Sequence, residues 1–174
     1  MLQFAQSFLA GYYLQIKFIH LVFAGMWFWS TSVAYTYYLV PLFRDWLKNP
    51  EDPDRIRLRN WAMERFDEGA ILEHVAFPIL LITGPMLMIA GGWTLVSSWL
   101  AMKLVLVVLV FIPVEVMDYY LAHFSLNKAK IRATGTPEAY EKAIRLHWWF
   151  LVVSTPIVIV VITLIFYLAI VKPF

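Results

Sequence analysis

The sequence predicts an all-α membrane protein: a four-transmembrane-helix bundle with its N- and C-termini on the outer, periplasmic side. Three observations predict it. The chain of 174 residues is 61% hydrophobic and 15% charged, with a mean hydropathy of +0.70. A soluble domain is about half apolar and a quarter charged. Four apolar segments, near 8–40, 70–91, 98–122 and 147–171, each approach or exceed the roughly 20 residues that cross a bilayer. Of 14 Lys and Arg residues, 11 fall in the two long loops, which lie on one side. The positive-inside rule makes these loops, 41–69 and 123–146, cytoplasmic in a multi-pass chain. All 12 acidic residues map to the cytoplasmic half, so the outer half keeps only Lys17, Lys103 and Lys172.

The first segment is overlong for one crossing, so it tilts or projects into the interface. Pro41 is expected to end it, and Pro50 and Pro53 to mark the turn that follows. Asp54 offers an N-cap for the charged stretch DRIRLRNWAMERFDE, read as a surface helix running on into the second span. Pro78 and Pro85 are expected to bend the second span, which closes at Gly91-Gly92. The short loop after it predicts an antiparallel hairpin with the third span. Thr136-Pro137 reads as N-cap and first position of the last helix, whose first turns stand outside the membrane. Met1 to Gly11 carries no basic stretch, so no cleavable signal peptide is expected. The chain reads as a single integral membrane domain over 1–174, without internal repeats.

The absence of cysteine excludes disulfides, thiolate metal sites, iron–sulfur clusters and covalently attached c-type haem. No nucleotide-binding loop, serine triad, nucleic-acid patch or run of pore-lining polar residues is visible. Chemistry is therefore confined to two polar clusters.

The outer cluster begins with Lys17, His20 and Trp27, which share one stripe of the first helix at about 100° per residue. Lys103 opens the third span and Lys172 ends the fourth. Three cations without a nearby carboxylate invite an anionic ligand, because uncompensated buried charge is expensive. A tetrapyrrole suits this set: His20 ligates iron or faces the ring, and the lysines pair its carboxylates. A lipid head group, or lysines that simply snorkel to the interface, are the plain alternatives. Met86 and Met88 lie at a comparable depth, and either is a candidate sixth ligand, although methionine in a bundle is usually packing.

The inner cluster is Glu73, His74, Glu115, Asp118, His123 and His147, drawn from spans two, three and four near the cytoplasmic boundary. Carboxylates and histidines on facing helices can bind a metal ion, iron or copper, or a dinuclear centre. The paired Glu-x-x-His motifs of the dinuclear carboxylate class are absent. A proton path through Glu115 and Asp118, or interfacial histidines beside aromatic residues, are the other readings.

Lys-x-x-His-x6-Trp (Lys17, His20, Trp27), Trp-x3-Lys (Trp99, Lys103) and a last helix with Pro156 and a Val171–Phe174 end together resemble the bacterial haem-containing protoporphyrinogen IX oxidase family. The first motif is also similar to the broader copper-resistance-type four-helix membrane proteins. The resemblance covers most of the chain apart from the loops. It departs at Val40-Pro41-Leu42, which lacks the family's Pro-Arg pair. It departs again at Pro113-Val114-Glu115, where the family has Tyr-His, and at Ser154-Thr155, where it has Asn-Glu. The resemblance implies a protein of the bacterial inner membrane with a b-type haem on His20 and Lys17, Trp27, Lys103 and Lys172 around it; Met88 joins this cofactor site by its depth. The resemblance also implies oxidoreductase chemistry on a porphyrinogen or similar amphipathic molecule, with His20, Lys17 and Lys103 as catalytic residues. Two alternatives stand beside it: a non-catalytic subunit of a larger membrane complex or homo-oligomer, and a metal-handling protein built on the inner cluster.

Overall fold

A computed structural model describes residues 2–124 and 126–173. Among these residues the helices are α1 (Leu2–Ala10), α2 (Tyr13–Lys48), α3 (Pro53–Ala90), α4 (Ser98–Ala122), α5 (Lys128–Thr134) and α6 (Pro137–Val171). Four of them, α2, α3, α4 and α6, are long and apolar enough to cross a membrane. At about 1.5 Å per residue, all four exceed the roughly 30 Å of a hydrocarbon core, α2, α3 and α6 by about 20 Å or more. Their extra turns carry the charged residues at the end of the bundle where the two long loops lie, here termed the loop end. Phe174, part of the C-terminal motif singled out above, lies outside the described residues.

The first span differs from expectation at both ends. The chain turns at Gly11 and Tyr12, which detaches α1 as a separate helix. The span then runs through Pro41 to Lys48. Pro41 does not stop it because a wide π-turn, Tyr35–Leu39, comes just before it, and the Val40 N–H reaches back to the Tyr35 carbonyl. A proline lacks the N–H that the α-helical ladder would use and crowds the preceding turn; the π-turn shifts the ladder by one residue there. The same device recurs in α4. The π-turn Val107–Phe111 stands two residues before Pro113, and the Ile112 N–H bonds the Val107 carbonyl.

The cap of α3 is Asp52, not Asp54. The Asp52 carboxylate accepts from the backbone N–H groups of Asp54 (3.0 Å) and Arg55 (3.5 Å), and Pro53 takes the first helical position, where no donor is required. The charged stretch Pro53–Gly69 continues through Ala70 into Ile71–Ala90, as expected. Thr136 caps α6 as predicted, its hydroxyl accepting from the Ala139 N–H at 3.2 Å.

The 91–97 connection joins two helices with different main partners: α3 packs chiefly on α2 and α1, whereas α4 packs on α6. Gly92 makes that turn with φ +65, a left-handed conformation that favours glycine, and a Cβ there would also displace the Gln6 amide of α1, 2.7 Å away. Apolar packing is graded along the bundle. Leu39, Phe43, Met63, Phe66, Ile144 and Leu151 fill the loop end. Trp27, Phe77, Phe111 and Ile162 fill the middle, and Trp99, Leu100 and Leu168 the far end. Leu109, Val160 and Ile170 point outward, as a lipid-facing surface requires. Arg59 pins the loop end: its guanidinium donates to both Glu141 oxygens (2.8 and 2.6 Å) and lies 4.3 Å over Trp46.

Candidate metal centre

The predicted outer cluster is only partly assembled. His20 Nδ1 lies 2.7 Å from Thr83 Oγ1, and that hydroxyl donates onward to the Ile79 carbonyl at 2.7 Å. With its proton committed to Ile79, Thr83 can only accept, so Nδ1 carries the imidazole hydrogen and Nε2 keeps its lone pair. Lys103 is half-buried and within electrostatic reach of His20. Lys17 is exposed. Lys172 stands over the indoles of Trp93 (4.3 Å) and Trp99 (5.4 Å) in a cation–π arrangement. Met88 packs into the Trp99–Leu100–Leu168 cluster. Trp27, seven residues beyond His20, donates instead to a carboxylate of the inner cluster.

That inner cluster converges more closely than the sequence suggests. Trp27 Nε1 donates to Glu115 Oε2 at 2.8 Å, and His74 Nδ1 lies 2.9 Å from Glu115 Oε1. Both Glu115 oxygens are thereby used, and the His74 hydrogen is held on Nδ1. The far nitrogen of His74, Nε2, faces Asp118 Oδ2 at 3.5 Å. The His74 side chain is 4% exposed and that of Asp118 5%. The other Asp118 oxygen accepts from His147 Nε2 at 3.0 Å. Glu73 is buried beside Asp118. Ligand atoms of Glu73, His74 and Asp118 all lie within 4.8 Å of one another. His123 sets its ring edge-on to His74, with ring centres 4.9 Å apart.

Two residues missed at the sequence level complete the cluster. Asp67, from the surface half of α3, and Lys128, the first residue of α5, both reach inward. Lys128 is fully buried and donates to Asp67 Oδ1 (2.9 Å), to the Leu121 carbonyl (2.9 Å) and to His147 Nδ1. Burial pushes the Lys128 ammonium below its ordinary range, and the Asp67 carboxylate opposes that shift. Nothing in the sequence singled Lys128 out from the other loop cations. Asp67 shares a helical face with Met63 and Phe66, both buried, and that face was the available signal.

The electrostatics are lopsided. The cluster holds four buried carboxyl groups (Asp67, Glu73, Glu115 and Asp118) and one buried lysine, Lys128, which pairs with Asp67. Among the described residues, His74 Nε2, Asp118 Oδ2, Asp67 Oδ2 and His123 Nε2 are buried without a hydrogen-bond partner. Beside Asp118 lies a cavity of about 40 Å³, lined by Thr31, Ser32, Ser154 and Thr155 together with Glu73, Glu115 and Asp118. At roughly 10–15 Å³ per water it has room for about three.

The His74–Asp118 contact is the diagnostic one. A charge-assisted N–H···O bond is about 2.7–2.9 Å long, so 3.5 Å is too long for an imidazolium donating to Asp118. Two lone-pair donors held about 2.1 Å from one tetrahedral ion lie roughly 3.4 Å apart. The observed spacing therefore fits two ligands sharing a cation. Glu115 stands behind His74 and fixes its tautomer, as a carboxylate does behind histidines that ligate metals. No known protein family, curated protein or solved structure matches the chain, so its chemistry is argued from this geometry.

Proposed function

We propose that the chain is a multi-pass membrane protein that holds one divalent transition-metal ion in the loop half of its bundle. Glu73, His74 and Asp118 are the ligands. The observation that carries this reading is the unpaired His74 Nε2 facing the unpaired Asp118 Oδ2 at 3.5 Å, with Glu115 holding the opposite nitrogen of His74. Two carboxylates and one imidazole form an oxygen-rich donor set that suits Fe(II), Mn(II) or Zn(II) better than Cu(I), which prefers thiolate and thioether. The cavity that Glu73 and Asp118 line has room for water or a molecule of similar size, and is too small for a tetrapyrrole. We assign the ion a resident role in redox or Lewis-acid chemistry with a small ligand. His74→Ala and Asp118→Asn test this by elemental analysis of protein purified in detergent and by Co(II) absorption titration. The expected result is stoichiometric metal in the parent protein and its loss in both variants, with helical circular dichroism retained. Failure of the parent protein to take up Fe(II), Mn(II), Zn(II) or Co(II) overturns the reading.

A second reading, b-type haem on His20 with oxidoreductase chemistry like that of the protoporphyrinogen IX oxidase family, is favoured by one observation. The Thr83 hydroxyl fixes the Nδ1–H tautomer of His20 and leaves Nε2 free to ligate iron. Visible spectra separate the readings. A Soret band lost in His20→Ala, but kept in His74→Ala, His123→Ala and His147→Ala, supports haem. A colourless protein with stoichiometric metal supports the inner centre alone.

A further inference from the structure

The residue that the metal reading leaves unused is Lys128, and its surroundings resemble those of a bound cation. Its Nζ sits among a carboxylate oxygen (Asp67 Oδ1), a backbone carbonyl oxygen (Leu121) and an imidazole nitrogen (His147 Nδ1). All three ammonium hydrogens are thus used, and the side chain has no exposed surface. His147 is oriented for this contact: its Nε2 hydrogen goes to Asp118 Oδ1 at 3.0 Å, which leaves the Nδ1 lone pair for the cation. Asp118 consequently stands between two half-sites. Its Oδ2 faces His74, and its Oδ1 holds the histidine that holds Lys128. Asp67 Oδ2 is buried and unpaired, so the second half-site also keeps an unused donor.

We propose that Lys128 is a tethered cation filling the second place of a two-cation frame, so that this chain holds one metal ion where its ligands could hold two. The inference rests on the metal reading above. Carboxylate, carbonyl and imidazole make a donor set that accepts Mn(II), Fe(II) or Zn(II) as readily as an ammonium. The tether is short and fastened. Asn127, immediately before Lys128, donates from Nδ2 to the Ala122 carbonyl at 2.8 Å and accepts the Lys130 N–H at 2.9 Å. This clamps the start of α5 to the end of α4 and delivers Lys128 inward rather than to solvent. One charge on an ammonium offsets less of the surrounding carboxylate charge than a divalent ion would. That leaves the first half-site with the stronger call on a metal.

The experiment counts metal ions. Lys128→Met removes the charge and nearly keeps the volume. Parent protein, Lys128→Met, Lys128→Arg and the double variant Lys128→Met/His147→Ala are purified in detergent, titrated with Mn(II) and Co(II), and analysed for bound metal. The expected result is about one ion per chain in the parent and in Lys128→Arg, about two in Lys128→Met, and about one again in the double variant. Paramagnetic coupling between two Mn(II) ions in Lys128→Met, absent from the double variant, would place the second ion across Asp118. If the parent binds one ion and Lys128→Met still binds only one, the tethered-cation inference is wrong and the metal reading stands. If the parent binds none, the metal reading falls and this inference with it. If Lys128→Met is too unstable to purify without metal, excess Mn(II) during extraction should restore its melting temperature to near that of the parent; no restoration overturns the inference.

Discussion

Glu115→Gln perturbs the candidate centre without touching a ligand. Glu115 accepts from Trp27 Nε1 through one oxygen and from His74 Nδ1 through the other, at 2.8 and 2.9 Å. Glutamine keeps the volume but offers one carbonyl oxygen and one NH2 group. Whichever way it turns, it accepts one of the two donors and points its own N–H groups at the other. A hydrogen bond to a charged group contributes about 1.5–3 kcal/mol, so thermal stability in detergent should fall by about that much. The more telling effect is on His74. Losing the carboxylate behind a metal-ligating histidine weakens metal affinity about 10- to 100-fold, which corresponds to about 1.4–2.7 kcal/mol. Competitive titration of Co(II) against a chelator reads the affinity, and differential scanning fluorimetry reads the stability. If Glu115 is only a structural partner, stability falls while metal affinity is unchanged, and that outcome refutes its role in orienting His74. Trp27→Phe sharpens the comparison. It removes the other donor to Glu115, and should lower stability by about 1–3 kcal/mol. It leaves the His74–Glu115 contact in place, so metal affinity should change far less than in Glu115→Gln.

Further outcomes follow from other contacts. Glu141→Ala strands the buried Arg59 guanidinium. Because Glu141 is itself 36% exposed, the loss should be about 2 kcal/mol, below the full 3–5 kcal/mol of a buried pair, as read by thermal unfolding. Thr136→Ala removes the N-cap of α6 and should lower stability by about 1 kcal/mol by the same measurement. If haem binds at His20, Thr83→Val should weaken it about tenfold while keeping the Soret band, since valine cannot accept from Nδ1–H. The proposed topology, with the loop end in the cytoplasm, is checked by reporter fusions at the C-terminus. A periplasm-active reporter should work there, and activity confined to a cytoplasmic reporter would invert the orientation.

The spans were legible because hydropathy is a sum over about 20 residues and tolerates local error. Helix ends were less so, because they depend on single hydrogen bonds. Pro41 looked like a terminator because its missing N–H is visible in the sequence, whereas the π-turn that accommodates it is a property of the backbone before it. Asp52 and Asp54 are both good capping residues. The choice between them is made by Pro53, which suits the first helical position and so sets the cap at Asp52, the residue before it. Lys128 and Asp67 were out of reach for a different reason: 61 residues separate them, and neither lies in an apolar span.

His20 and Trp27 show how far a helical wheel carries an argument. They do share a stripe of α2, as their spacing requires, but two turns of helix separate them by about 10 Å in depth. At one depth the stripe meets Thr83 of α3; at the other it meets Glu115 of α4. The wheel gives direction and says nothing about partner. Each polar group in the apolar part of this bundle needs a partner, since lipid supplies none, and most of them have one. Trp27 has Glu115, His20 has Thr83, and Thr163 bonds the Ile159 carbonyl one turn back at 2.8 Å. Against that background, His74 Nε2 and Asp118 Oδ2 stand out as two acceptors aimed at each other across 3.5 Å. Pairing them requires something positive between them. A shared proton would draw them to hydrogen-bond length, whereas a metal ion would hold them at about the separation observed.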